Sequence, residues 1–149
     1  RTRKKSDQLY KNDEVKVKYT VKKLTKEVGD GFDSFEVEKN EYLLPIIFEE
    51  INIPKGEKYS INAQILLSDG QIYSINEEAS EALASQEGLG LFLKNDLKIT
   101  KVKNIVGAFI VPIKVITASQ VILRVFVEEK KVIEDNLLDG SNKDVFKER

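Results

Sequence analysis

The sequence contains no cysteine, histidine, methionine or tryptophan. Without cysteine there is no disulfide framework, no thiolate nucleophile and no cysteine-ligated zinc or iron–sulfur cluster. Without histidine the commonest general base and the commonest transition-metal ligand are missing. The serine motifs G-x-S-x-G and S-x-x-K are absent as well. We therefore expect a protein that is not an enzyme and that has no metal or other cofactor.

Long apolar runs are also missing. No stretch of 18 apolar residues occurs, so we expect no transmembrane helix and no membrane partner. The first residues, RTRKKSDQLY, include no apolar segment of the kind found in signal peptides. These patterns leave the localisation otherwise open.

The overall composition is that of an ordinary globular domain, but charge is placed unevenly. The chain has 149 residues, of which 41% are hydrophobic and 33% charged, with a net charge of −1. Residues 1–26 hold ten Lys/Arg against three Asp/Glu. Residues 1–14 lack any apolar period and are interpreted as a basic N-terminal arm. Arg1, Arg3, Lys4 and Lys5 in this arm suit an electrostatic hook for a neighbouring chain.

Alternation of apolar and polar residues is the main structural signal. In VKVKYTVKK (15–23), Val15, Val17, Tyr19 and Val21 share one face and the lysines share the other, as in a half-buried strand. Such a lysine row is most often the solvated side of a strand, and lysines protect an edge strand from unwanted pairing. Exposed aromatic side chains for base stacking do not accompany it, so we consider nucleic acid an unlikely partner.

Further segments have the same β character, including 42–53, 59–67, 97–106, 108–117, 120–128 and 131–138. Pro45 predicts an edge-like or bulged strand. Asp69-Gly70 predicts a type I′ hairpin turn. We predict a mainly β fold, a two-sheet antiparallel β-sandwich that is Ig-like or jelly-roll-like. The single domain would span 15–138, followed by a polar C-terminal tail at 139–149.

One segment departs from the β pattern. NEEASEALASQEG (76–88) is rich in Ala and Glu and predicts a short helix near 77–87. Ser74 and Glu77 have the spacing of a capping box, and Gly88 suits the residue after the helix.

The last apolar strand supplies the candidate binding residues. In QVILRVFVE (120–128), Ile122 and Phe126 lie opposite the valine face and predict an apolar strand face that contacts another chain. Phe146 is the one large apolar residue of the C-terminal tail and a further candidate contact. The leading hypothesis is a non-enzymatic structural or assembly module, a homo-oligomer or part of a larger assembly. Because Lys, Ile and Asn are frequent, as in AT-rich genomes, the hypothesis extends to a bacteriophage virion component, a capsid or tail accessory protein.

Two other classes of function stay open. A soluble glycan- or peptide-binding β-sandwich module would use exposed rings, with Phe32 and Phe35 in a Gly-rich loop as the first candidates. An enzyme would need two carboxylates gathered from distant strands, whereas Glu49/Glu50 and Glu128/Glu129 are each adjacent on a strand. The oxygen-rich loops DGFDSFE and DGSNKD match turn formers better than the spacing of a calcium loop.

Overall fold

The computed structural model describes residues 15–52, 58–95, 97–100 and 102–147. The predicted basic arm, with Arg1, Arg3, Lys4 and Lys5, lies outside these ranges. Within them the chain is mostly β with one α-helix, so the predicted mainly β class is confirmed. The elements in chain order are β1 (Lys16–Val21), β2 (Glu27–Gly29), β3 (Ser34–Glu36), β4 (Glu41–Asn52), β5 (Tyr59–Leu67), β6 (Ile72–Ser74), α1 (Glu77–Glu87), β7 (Leu91–Phe92), β8 (Lys98–Ile99), β9 (Val102–Pro112), a 3₁₀-helix (Ile113–Thr117), β10 (Val121–Val127), β11 (Lys130–Asn136) and a second 3₁₀-helix (Gly140–Phe146).

The strands form two larger open sheets and one small hairpin. The first sheet has the order β1-β4-β9-β7, and the second has the order β11-β10-β5-β6, with β8 also paired to β5. Strands β2 and β3 pair with each other. Strand β7 runs parallel to β9, so the expectation of purely antiparallel sheets does not hold at this edge.

Alternating burial along the strands explains the main hydrophobic core. In β10, Val121, Leu123, Val125 and Val127 are buried, while the residues between them are partly exposed. Buried residues of β4 and β9 belong to the same hydrophobic cluster as those of β5 and β10. The apolar residues at every second position of these strands therefore meet in one core.

The helix lies where it was predicted, with a different N-terminal cap. The Ala79 N–H donates to Asn76 Oδ1 at 2.8 Å, so Asn76, not Ser74, caps the helix. Gly88 follows the helix with φ 70°, the left-handed conformation that glycine adopts without strain. The helix packs with β2, β4 and β9 in a second apolar cluster.

Pro45 and Gly107 lie inside long strands, although the sequence predicted an edge-like or bulged strand at Pro45 and two separate β segments on either side of Gly107. Strand β4 is interior, with β1 on one side and β9 on the other. Pro45 is tolerated because the β1 ladder ends beside it, at the pair Val21–Ile46. Strand β9 continues through Gly107, and the residue there is glycine because a Cβ would come within 2.8 Å of Ile75 Cδ1 and 3.0 Å of Leu93 Cδ1. Both predictions were wrong because the end of the β1 ladder and the packing around Gly107 are set by residues distant in sequence.

The two hairpin turns also differ from expectation. Gly70 has φ 87°, but Asp69 is not among the described residues with positive φ, so the turn is not type I′. Glu128 and Glu129 have φ 50° and 70° and form the two-residue turn between β10 and β11. Two successive positive φ values are the signature of a type I′ turn, which here contains no glycine. The prediction that Glu128 and Glu129 lie on a strand was wrong.

The predicted polar tail contains a packed 3₁₀-helix. Phe146 is 3% exposed and belongs to the main core, together with Val145. Phe146 therefore contacts its own domain, and its burial leaves no apolar surface there for a neighbouring chain. This corrects its assignment as a contact residue.

Candidate functional site

The exposed face of the second sheet carries an apolar cross-strand row. Leu66 of β5 pairs with Ile122 of β10 on one side and with Ile72 of β6 on the other. Ile72 is 50% exposed, and Leu66 and Ile122 are partly exposed. We call Ile72, Leu66 and Ile122 the apolar row. The α-helix packs against the other sheet, so among the described elements it leaves this row facing solvent.

A polar row follows one step further along the same face. Arg124 pairs with Gln64 of β5 and with Glu134 of β11. Its Nη1 donates to Gln64 Oε1 at 3.5 Å, and its Nη2 lies 3.6 Å from Glu134 Oε2. Both contacts are long, and within the described part of the chain Arg124 Nε is buried without a hydrogen-bond partner. The hydrogen bond and positive charge of the neighbouring Lys131 hold the pKa of the Glu134 carboxyl below its usual range.

Phe126 lies on the third row, beside a cleft. It pairs with Asn62 of β5 and with Lys131 of β11. The cleft has a volume of about 400 Å³ and is lined by Ser60, Ile61, Asn62, Gln64, Lys94, Asn95, Phe126 and Glu129. One aromatic ring therefore lies among three carboxamides and two side chains of opposite charge.

The strained turn between β10 and β11 borders this cleft. The Glu128 N–H donates to the Ser60 carbonyl at 3.0 Å, and the Ser60 N–H donates to Glu128 Oε2 at 2.7 Å. Glu128 thereby ties the turn to β5. Glu129, the next residue, lines the cleft. Two of the three described non-glycine residues with positive φ thus lie in the turn at the rim of the cleft, and the third, Asn104, lies in β9.

The lysine row of β1 has the solvated position that the sequence predicted. Lys16, Lys18 and Thr20 are exposed, and Val17 and Tyr19 turn toward the core. β1 is the edge strand of its sheet, where lysines discourage pairing with another chain. Lys22 lies 3.6 Å from Glu87 of the helix.

A hydrogen bond links the edge strands of the two sheets. The Tyr19 hydroxyl donates to Asp135 Oδ2 at 2.6 Å, joining β1 to β11. Partial burial, with the Asp135 hydrogen bond and charge, raises the pKa of Tyr19 well above its usual range. This hydrogen bond joins two residues that are 116 positions apart in sequence.

The aromatic residues of the Gly-rich loop are placed differently from one another. Phe32 is fully exposed at the tip of the β2–β3 hairpin, whereas Phe35 is half-buried against the helix cluster. Asp30 Oδ1 accepts the N–H groups of Phe32 and Asp33, and these backbone bonds lower the pKa of Asp30. The Asp30 carboxylate thus stabilises the turn at the tip of the hairpin. Tyr42 and Tyr73 are half-buried against the main core.

Two of the predicted contact residues, Ile122 and Phe126, lie on the same face of the second sheet. Arg124 and its row separate them. Sequence reasoning missed Leu66, Ile72, Asn62 and Gln64, which join them only through strand pairing. The alternation along β5 predicts that Gln64 and Leu66 lie on the face opposite the core, but it does not predict that Leu66 pairs with Ile122.

The described residues contain no group of three or more His, Cys, Asp or Glu that could hold a metal ion. No helix in these ranges is both long and apolar enough to cross a membrane.

Comparison with known proteins places the chain by its fold alone. No protein-family model matches it, and no curated protein does so. A solved structure, a conserved hypothetical protein from Bacillus anthracis, is similar with a TM-score of 0.57 and 14% sequence identity. The similarity covers 81% of this chain and 87% of the other. It supports the mainly β architecture and carries no functional information.

Proposed function

We propose that the protein is a non-enzymatic assembly module that binds a second copy of itself through the exposed face of the second sheet. The observation that carries this proposal is the apolar row, Ile72, Leu66 and Ile122, which faces solvent on a paired sheet. Contiguous apolar surface of this kind on a soluble domain marks an interaction site.

The polar row beside it favours a second copy as the partner. Arg124 and Glu134 place both signs of charge in one line across the strands. A twofold axis near this row would bring the Arg124 guanidinium of one copy toward Glu134 of the other. Because both contacts of Arg124 within the chain are long, the guanidinium retains donor capacity for such a carboxylate. Self-complementarity of this kind is what a twofold interface requires.

We also propose that the two larger sheets pack face to face as a β-sandwich, either Ig-like or jelly-roll-like. Support comes from the single hydrophobic cluster to which both sheets contribute. In this arrangement the apolar row lies on the outside, away from the shared core. The same self-association would suit a repeated component of a large assembly, of which a bacteriophage virion is the example that the composition favours.

Sedimentation velocity on the full chain tests the proposal, with Ile72→Lys as the probe. Ile113→Lys is a matched control, because Ile113 is 44% exposed against 50% for Ile72 but lies in the first 3₁₀-helix. We expect the wild type and Ile113→Lys to dimerise with a dissociation constant of about 1–100 μM, and Ile72→Lys to weaken the dimer at least tenfold.

Ile122→Lys provides a second probe of the same row. It should behave like Ile72→Lys, provided that circular dichroism shows a folded chain. A wild type that stays monomeric at about 500 μM, or an Ile72→Lys variant that still dimerises like the control, would contradict the proposal.

A further inference from the structure

The geometry points to a second site: we propose that the cleft between β5, β10 and the segment after β7 binds a neutral saccharide. This goes beyond self-association, and the two rest on different residues. The apolar row is not part of the cleft lining, and Phe126, at the cleft, is separated from Ile122 by Arg124.

The side chains that line the cleft match the chemistry of sugar hydroxyls. Asn62, Gln64 and Asn95 each carry a carboxamide, which has both donor and acceptor groups. The Asn62 oxygen accepts from the Ala63 N–H and the Gln64 oxygen from Arg124, so these two amides offer a ligand their NH₂ donors and the second lone pair of each oxygen. A hydroxyl group also donates and accepts, so an amide can bind neighbouring hydroxyls in both senses. Three such groups around one cleft favour a polyhydroxylated ligand.

Phe126 supplies the apolar surface that a sugar ring needs. Its ring is partly exposed at the cleft. The π face of an aromatic ring is electron-rich, so it attracts the weakly positive C–H groups on the less polar face of a pyranose. The amides can then bind the hydroxyls at the edge of the sugar.

Charge and backbone pairing exclude other ligand classes. Among the described residues that line the cleft, Lys94 and Glu129 contribute one charge of each sign, so this lining carries no excess charge to attract a phosphate or another anion. A peptide would add a strand at a free sheet edge, but β5 is paired on both edges here. β10 lies along one edge, and β8 and the Leu97 carbonyl bond the other.

The strained turn is an independent indication that this rim is functional. Positive φ values at two glutamates cost stability, and such strain persists chiefly at ligand sites and similar functional positions. Glycine or asparagine would form the turn at lower cost, but only a longer polar side chain at 129 would place a carboxylate at the cleft. The cleft volume, about 400 Å³, falls within the ~300–1,000 Å³ usual for small-molecule sites.

The test is a titration of the ¹⁵N-labelled full chain with maltotetraose, cellotetraose and chitotetraose, followed by the side-chain NH₂ signals of the cleft amides. We expect saturable shifts at Asn62, Gln64 and Asn95 with at least one of these sugars and a dissociation constant of about 0.1–10 mM. Phe126→Ala should weaken binding at least tenfold, whereas the matched control Phe32→Ala should not.

Asn95→Ala keeps the test decisive if Phe126→Ala fails to fold. Asn95 is exposed, and its matched control is Asn40→Ala, an exposed amide outside the cleft. Asn95→Ala should weaken binding several-fold and Asn40→Ala should leave it unchanged. No saturable shift with any of the three sugars at about 50 mM, or shifts centred away from the cleft, would overturn the proposal. Ile72→Lys should bind the sugar normally, so failure of the dimer and failure of the sugar site can be told apart.

Discussion

Replacing Glu129 by glycine should stabilise the protein, although it removes a charged side chain from the surface. Glu129 has φ 70° in the turn between β10 and β11. A left-handed conformation costs a residue with a Cβ about 1–2 kcal/mol, and glycine avoids this cost. Glycine also loses about 0.5–1 kcal/mol more conformational entropy on folding. The balance predicts a gain of about 0.5–1 kcal/mol.

Urea denaturation of wild type and Glu129→Gly measures this difference, and a thermal melt should show a rise of about 2–3 °C. Glu81→Gly is the control, since Glu81 is exposed in the middle of the helix. Glycine there relieves no strain, so the control should lose about 1 kcal/mol. A Glu129→Gly variant that is less stable than wild type by about 0.5 kcal/mol or more would refute the reasoning.

Glu128→Gly separates strain from side-chain bonding at the same turn. It removes a positive φ from a non-glycine residue but also removes the carboxylate that accepts the Ser60 N–H. We therefore expect Glu128→Gly to be less stable than Glu129→Gly. The saccharide proposal adds a second consequence: Glu129→Gly should stabilise the fold while weakening sugar binding, as expected where strain is retained for function.

Two further predictions concern hydrogen bonds between elements that are distant in sequence. Tyr19→Phe should cost about 1 kcal/mol at pH 7 through loss of the bond to Asp135. Because the pKa of Tyr19 is raised on folding, this stability is complete below the unfolded value near 10 and declines as the pH rises above it. Urea melts at pH 7 and pH 10.5 should therefore show a smaller difference between wild type and variant at the higher pH, and a constant difference would contradict the assignment. Ser80→Ala should cost about 1–3 kcal/mol, because the buried Ser80 Oγ accepts the Ala108 N–H, which would be left unsatisfied; a loss below about 0.5 kcal/mol in the same assay would count against this bond.

The sequence was most informative where local periodicity decides the structure. Alternation located β1, β5 and β10 and their buried sides correctly, because each buries every second residue. The helix was found from its composition and from Gly88. The cap was misplaced by two residues, since Asn76 and Ser74 are equally suitable in isolation and the strand β6 extends through Ser74.

Structural features that depend on residues distant in sequence could not be predicted from the sequence. Pro45 argued for an edge-like or bulged strand, yet β4 is an interior strand, and the proline is tolerated because the β1 ladder ends beside it. The two β segments predicted on either side of Gly107 form one strand, and the close approach of Ile75 and Leu93 explains the glycine. The apolar row and the cleft likewise combine residues of β5, β6 and β10 that only strand register brings together. Periodicity assigned Ile122 and Phe126 to a second face but could not divide them between two sites.

The most direct test of the self-association proposed here is the concentration dependence of the ¹H–¹⁵N spectrum of wild-type protein between about 10 and 500 μM. We predict that signals of Leu66, Ile72 and Ile122 shift or broaden as concentration rises, while signals of Phe32 and its hairpin stay constant. A spectrum that does not change with concentration, or changes that map to the helix side of the first sheet, would contradict it.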